Sequence, residues 1–202
     1  MRKAIQHLKQ SDPVLASLID RIGPCKMSYR TADFNSLARS IVYQQLSTKA
    51  AATIFGRVLE AAKCEEPLTP KALLKVKPEK LRAAGLSQQK LAYIRDLAQK
   101  THDGEVDFAL LDAMADDDVI AHLTQVKGVG VWTVQMLLMF ALKRHDVLPV
   151  ADLGIRNAIH RAYGFEAPPK PKDMELIAEK WRPYRTIACW YLWRSLDGPA
   201  KL

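Results

Sequence analysis

Asp152 is a carboxylate that directly precedes a probable helix. The residues after it, Leu153 to Ala162, read as a helix, so Asp152 stands at a helix N-terminus. There the helix dipole and the open N–H groups favour the ionised form. Such a carboxylate can stabilise a developing positive charge and can orient or deprotonate a water. An aspartate before a helix is usually only a cap, and without the glycine turn some twenty residues upstream the cap is the preferred reading. Upstream, Leu123-Thr-Gln-Val-Lys-Gly-Val-Gly-Val-Trp-Thr-Val134 reads as a helix ending near Gln125, a turn with two glycines, and an apolar helix starting near Val131. Gly128 and Gly130 can take positive φ and leave backbone N–H groups uncovered. The following helix N-terminus adds donors and a positive dipole end, which suits a phosphate. A lone glycine-x-glycine turn is more often a tight connection, and this one lacks the strand and third glycine of a dinucleotide fingerprint.

Other chemistries find little support. Cys25, Cys64 and Cys189 are far apart and form no CxxC pair, which argues against a zinc finger or iron–sulfur cluster and for reduced thiols in or near a core. His7, His102, His122, His145 and His160 are equally scattered, with no HExxH pair. The formal charge of +8 suggests a polyanionic partner, nucleic acid first and an anionic membrane surface second. Hydrophobic residues make up 49% of the 202, enough for a sizeable core in one compact unit or two small lobes. The basic N-terminus lacks the apolar run of a signal peptide. The most apolar stretch, Val131 to Leu142, is too short to span a bilayer. The expectation is therefore a soluble intracellular protein without a membrane partner.

The elements that must position these residues read as helices almost throughout. Apolar residues recur at three and four spacings in Phe34, Leu37, Ala38, Ile41, in Ala51, Ile54, Phe55, Val58, Leu59, and in Leu91, Ile94, Leu97, Ala98. Ser11-Asp12-Pro13 and Thr69-Pro70 offer a cap followed by a first-turn proline, and Ser87 can cap the helix near Gln88. Gly85, Gly104 and Gly164 stand where helices should stop. No sustained period-two alternation demands a sheet. Asp146 to Val150 can be extended, and Ala167-Pro-Pro-Lys-Pro171 is a stiff connector.

Several segments together carry a family resemblance. Val126-Lys-Gly-Val-Gly-Val-Trp-Thr133 resembles the hairpin of helix–hairpin–helix DNA glycosylases. Leu148-Pro-Val-Ala-Asp-Leu-Gly-Ile-Arg156 resembles their second signature, with its essential aspartate. Ile41 to Ala51, Gly85-Leu-Ser-Gln-Gln-Lys90 and Trp181-Arg-Pro-Tyr-Arg-Thr-Ile-Ala188 resemble segments of one branch, the 3-methyladenine DNA glycosylase II (AlkA-like) enzymes. The resemblance runs in order from about Phe34 to Leu196 and is to the compact form of that family.

The resemblance implies a monofunctional enzyme that excises alkylated purines, of the 3-methyladenine and 7-methylguanine class, from duplex DNA in base excision repair. It makes Asp152 the catalytic carboxylate and Lys127, Gly128, Val129, Gly130 and Thr133 the DNA-binding hairpin. Trp132 and Trp193 match base-pocket aromatics, with Tyr43 a weaker third; by composition alone Trp132 would be core. Trp132 also stands where strand-cutting relatives carry a Schiff-base lysine, so no strand cleavage is expected. Leu153 and Met136 replace tyrosines of the bacterial pattern, which makes the pocket less aromatic. Gln45 matches the wedge that fills the stack after base flipping, with Leu46 the more apolar neighbour. Core packing of Leu46 and capping by Gln45 are the plain alternatives. The chemistry requires no cofactor. A structural Na or K ion on the hairpin would use the backbone carbonyls of Thr124, Val126 and Val129.

The implied fold is all-α and two-lobed, with the active site in the cleft between lobes. Residues 32–144 form the central lobe ending in the hairpin, and 1–31 plus 145–202 form the lobe carrying Asp152. A monomer is expected, in the cytoplasm or nucleoid of a bacterium or in a eukaryotic nucleus. The competing assignments are a non-catalytic DNA-binding module, which would not need Asp152, and a helical interaction scaffold, which would leave the hairpin glycines and the charge unexplained.

Overall fold

A computed structural model describes residues 1–197. Among these residues it contains twelve α-helices, two short 3-10 turns and no strand. In chain order the helices are α1 (Arg2–Ser11), α2 (Pro13–Ile22), α3 (Phe34–Tyr43), α4 (Thr48–Ala62), α5 (Pro70–Leu74), α6 (Pro78–Ala83) and α7 (Gln88–His102), followed by α8 (Asp116–Thr124), α9 (Val131–Phe140), α10 (Leu153–Tyr163), α11 (Pro171–Ala178) and α12 (Arg185–Leu196). No helix among the described residues is long and apolar enough to cross a membrane.

The chain divides into two compact units. One comprises Met1–Tyr29 with the chain from Leu138 onward, and the other comprises Arg30–Leu137. The division falls inside α9 and not at Arg144. The helix continues without a break, and its end is tied forward by the Arg144 N–H, which donates to the Leu138 carbonyl at 2.9 Å.

In the first unit, α12 packs on α2 and α10, and α1 packs on α2. Leu8, Leu15, Trp181 and Tyr191 are fully buried there. The caps follow the side chains. Asp12 accepts from the Val14 and Leu15 N–H groups ahead of Pro13, and Gly164 ends α10 at φ 67°. The second unit sets α3 and α5 against α7, with α4 beside α3. Its interior holds Leu37, Ile41, Phe55, Leu73, Ile94 and Leu97. Asp33, Ser47, Thr69 and Ser87 cap α3, α4, α5 and α7. Each such cap is worth about 1 kcal/mol, so these four helix starts are set locally.

Candidate active site and DNA-binding turns

In the first unit the chain between α9 and α10 is held by the start of α12. Arg185 donates through Nε to Asp146 Oδ1 at 2.6 Å and through its terminal nitrogen to the Asp146 carbonyl at 2.7 Å. Arg182 adds a bond to Asp146 Oδ2 at 2.6 Å. The Thr186 hydroxyl donates to the Arg144 carbonyl at 2.7 Å and accepts from the Val147 N–H at 3.0 Å. Thr186 is buried, so these bonds are shielded from water. The main chain that delivers Asp152 is thereby fixed at its root.

Asp152 is the N-cap of α10 and is half-buried. Its Oδ1 accepts from the Ile155 N–H at 2.8 Å and from the Trp193 indole N–H at 2.9 Å. The cap and the indole thus orient one carboxylate together. Trp193 in turn lies 5.9 Å from the Phe140 ring. Gly154 makes the approach feasible: a Cβ there would stand 3.0 Å from both Asp152 Oδ1 and Trp193 Cδ1. Burial and the negative charge of Asp152 push the Cys189 thiol pKa up, so this buried thiol stays protonated and unreactive. Leu153 is 66% exposed beside Asp152. A cavity of about 600 Å³ in the same unit, lined by Val14, Leu18, Arg21, Arg161, Ala162 and Leu196, lies at the other end of α10 and includes no candidate residue.

In the second unit the hairpin joins α8 to α9. Gly128 takes φ 77°, and a Cβ there would overlap the Tyr93 ring. Gly130 does not use that freedom, because its φ is not in the left-handed region. A Cβ on Gly130 would meet nothing within 4 Å, so open space is what distinguishes this glycine. Two hairpin donors are also already engaged. The Lys127 N–H donates to Asp96 Oδ2 at 2.9 Å, and the Val129 N–H donates to the Val126 carbonyl at 3.1 Å. The Lys127 side chain is well exposed, with its Nζ 3.8 Å from Asp96. Val129 and Thr133 are buried.

Trp132 is 43% exposed, next to an exposed Val131, so it is not a core residue. Tyr43 is half-buried. The Arg39 guanidinium lies 4.7 Å from its ring centroid and donates to its hydroxyl at 2.7 Å, so one ring face is already taken. Leu46 is 40% exposed and Gln45 is exposed at φ 55°, which removes core packing as the account of Leu46. Gln44 reaches across to the hairpin, its Nε2 donating to the Gly128 carbonyl at 3.1 Å. The structure therefore brings Asp152 to Trp193 in one unit, and the Gln44–Leu46 turn to the hairpin in the other.

Residues 38–183 match the family described as HhH-GPD superfamily base excision DNA repair protein. The chain belongs to that superfamily. The chain is 33% identical to DNA-3-methyladenine glycosylase 1 of Schizosaccharomyces pombe, over 96% of this chain and 87% of that protein. The crystal structure of a DNA-3-methyladenine glycosidase from Bacillus halodurans superposes with a TM-score of 0.84 at 37% identity, over 94% of this chain and 86% of that one. A 3-methyladenine DNA glycosylase of S. pombe, solved in complex with abasic DNA, gives 0.82 at 32% identity, over 96% and 97%. These relatives place the chain in the 3-methyladenine glycosylase family of the HhH-GPD superfamily, with its all-α helix–hairpin–helix fold.

Sequence reasoning did not single out Gly154, Asp146, Arg185, Thr186 or Lys90. The resembling segments contained all but Asp146, yet motif spacing says nothing of which main-chain group a side chain will reach. A signal existed for Gly154, because a glycine in the first turn of a helix forgoes about 1 kcal/mol of helix propensity and asks for a reason.

Proposed function

We propose that the protein is a monofunctional DNA glycosylase. It flips alkylated purines of the 3-methyladenine and 7-methylguanine class out of duplex DNA and hydrolyses their glycosidic bond. The observation that carries this function is the Asp152 carboxylate, oriented by the Ile155 N–H and the Trp193 indole, in a chain of the base excision repair superfamily.

N-alkylation leaves the purine cationic and a good leaving group. The glycosidic C1′–N bond breaks with its electron pair going to the base, which departs neutral. The sugar carries oxocarbenium character, which the Asp152 charge stabilises. Water adds to C1′ and loses its proton to Asp152 or solvent, leaving an abasic site. In the second unit, exposed Lys127 and the N–H groups of Gly128, Gly130 and the first turn of α9 meet a backbone phosphate. Exposed Trp132 offers a face for a cationic base, and exposed Gln45 and Leu46 are the wedge. In the first unit Trp193 offers its indole beside Asp152, and in the second Tyr43 contributes least because Arg39 covers it. The enzyme acts as a monomer in the compartment that holds the DNA.

Trp132 cannot form a Schiff base, so no strand cleavage accompanies excision. Borohydride treatment during turnover should trap no covalent protein–DNA adduct, and a stable adduct would refute the monofunctional assignment. A monovalent cation suits the hairpin. The Thr124 and Val129 carbonyls lie at the end of α8 and just before α9, and the Val126 carbonyl keeps one lone pair beyond the bond from Val129. Na or K held there would fix the turn without entering the chemistry. The melting temperature should be higher in potassium or sodium chloride than in tetramethylammonium chloride of equal ionic strength, and equal values would remove the ion.

The deciding experiment incubates the protein with methylated duplex DNA and identifies released bases by chromatography, with Asp152→Asn alongside. Asparagine still caps a helix and still accepts from the indole, so the variant keeps those two bonds while it removes the charge. Release of methylated purine should fall on the order of a hundredfold or more in the variant, the scale of a lost acid–base group. No release by a folded, DNA-binding wild type would instead favour a non-catalytic module.

A further inference from the structure

The Gly85-to-Lys90 motif opens α7, and the chemistry above gives it no work. Along one flank of α7 stand Lys90, Tyr93 and Asp96, three residues apart and all half-buried. Each meets one of the two turns of the second unit. Lys90 Nζ donates to the Val42 carbonyl at 2.7 Å and to the Gln44 carbonyl at 2.6 Å, bridging the end of α3 and the turn that follows. The Tyr93 ring lies against Gly128 so closely that no side chain fits there. Asp96 accepts the Lys127 N–H. The Gln44 side chain closes the circuit on the Gly128 carbonyl.

Two features mark this circuit as more than packing. Lys90 is a cation placed on main-chain carbonyls, and partial burial holds its pKa below the usual lysine value. An apolar side chain would fill that space without the desolvation cost. Its compact ammonium reaches two acceptors from one atom, which a planar guanidinium does less well. Gln45, immediately after the clamped carbonyl, sits in the left-handed region without being glycine. A residue stays there only when its surroundings impose it, and such strain gathers where a side chain must be aimed.

We propose that Lys90, Tyr93 and Asp96 are positioning residues that hold the Gln44–Leu46 turn and the hairpin in one fixed register. The turn that enters the duplex and the turn that grips its backbone then act as a single body. Phosphate contacts set where the protein sits along DNA, so the wedge meets the stack only if its offset from the hairpin is constant. The proposal rests on the assignment of both turns to DNA contact.

The test is a double-mutant cycle of Lys90→Met and Gln45→Ala. Single-turnover excision is measured on methylated duplex and on methylated single strand, with affinity for abasic duplex and thermal stability beside it. Lys90→Met should lose on the order of tenfold or more on duplex, because ångström-scale misplacement is costly, and much less on single strand. Adding Gln45→Ala to Lys90→Met should cost almost nothing further. Gln44→Ala removes a partly exposed side chain, keeps the fold, and should reproduce the same selective loss if Lys90→Met does not fold. Wild-type behaviour of these variants on duplex, equal losses on both substrates, or losses that add to that of Gln45→Ala would each overturn the proposal. A wild type that binds abasic duplex but releases no base removes the glycosylase function, and duplex affinity in the same cycle still reads the register. A wild type that ignores duplex DNA sinks both.

Discussion

Asp152 Oδ1 accepts from both the Ile155 N–H and the Trp193 indole, so capping and orientation are one arrangement rather than alternatives. Gly154 is the residue that keeps them together. Its replacement by alanine introduces no backbone strain and would favour the helix by up to about 1 kcal/mol. The added Cβ would nevertheless stand 3.0 Å from both Asp152 Oδ1 and Trp193 Cδ1, tighter than ordinary contact, and one of them must yield. The indole has the freer response, since the carboxylate is also held by the cap. Gly154→Ala is therefore expected to keep or slightly raise the melting temperature while lowering single-turnover excision by roughly tenfold through a displaced Trp193. Full activity in a well-folded Gly154→Ala protein would show that the indole bond does not matter to the reaction.

The elements separate what patterning reveals from what contact decides. Helix starts were legible because caps and first-turn prolines act over three residues: Asp12-Pro13, Thr69-Pro70 and Ser87 do in the structure what their types imply. The hairpin was legible as a turn, but its two glycines were treated alike and they differ. Gly128 is required twice over, by its φ of 77° and by the Tyr93 ring from α7, whose approach no local pattern announces. Gly130 has neither constraint, and its Cβ position is open. Gly128→Ala should accordingly destabilise the fold by more than 1 kcal/mol, on the scale of a non-glycine residue in strained backbone plus overpacking. Gly130→Ala should melt near wild type yet bind duplex DNA more weakly, because its methyl occupies the space a phosphate would use. Thermal melts and salt-dependent binding on both variants separate the two roles. A Gly130→Ala protein with unaltered affinity would leave the hairpin without a phosphate at that point. Trp132 was ambiguous for a related reason. An apolar helix predicts burial, and only the packing of α9 leaves its second residue exposed.

At the scale of the molecule, the first unit is assembled from an N-terminal and a C-terminal segment, and Asp12 is one of the bonds between them. The residue is fully buried. Its Oδ2 accepts from the Trp181 indole at 2.8 Å and from the Tyr163 hydroxyl, with Lys180 Nζ at 3.2 Å, while Oδ1 caps α2. Only the cap could be read from Ser11-Asp12-Pro13, because the other partners lie far along the chain and sequence spacing carries no information about them. Burial alone would raise the Asp12 pKa. The hydrogen bonds from Tyr163, Trp181, the Leu15 N–H and Lys180 together outweigh it and bring the pKa below the ordinary value of 3.8. A carboxylate whose folded pKa is depressed stabilises the fold above its unfolded pKa and loses that contribution as pH falls through the folded value. Asp12→Asn turns an amide donor toward groups that are themselves donors, so about 2–3 kcal/mol should be lost at neutral pH. Denaturant melts of both proteins from pH 7 downward check this. The gap between them should hold steady until the pH nears 3.8 and then narrow as wild-type Asp12 takes up its proton. A gap that stays constant through strong acid would mean that the charge of Asp12 does not hold the two segments together. A gap that narrows well above that value would mean that burial, and not the four donors, governs the group.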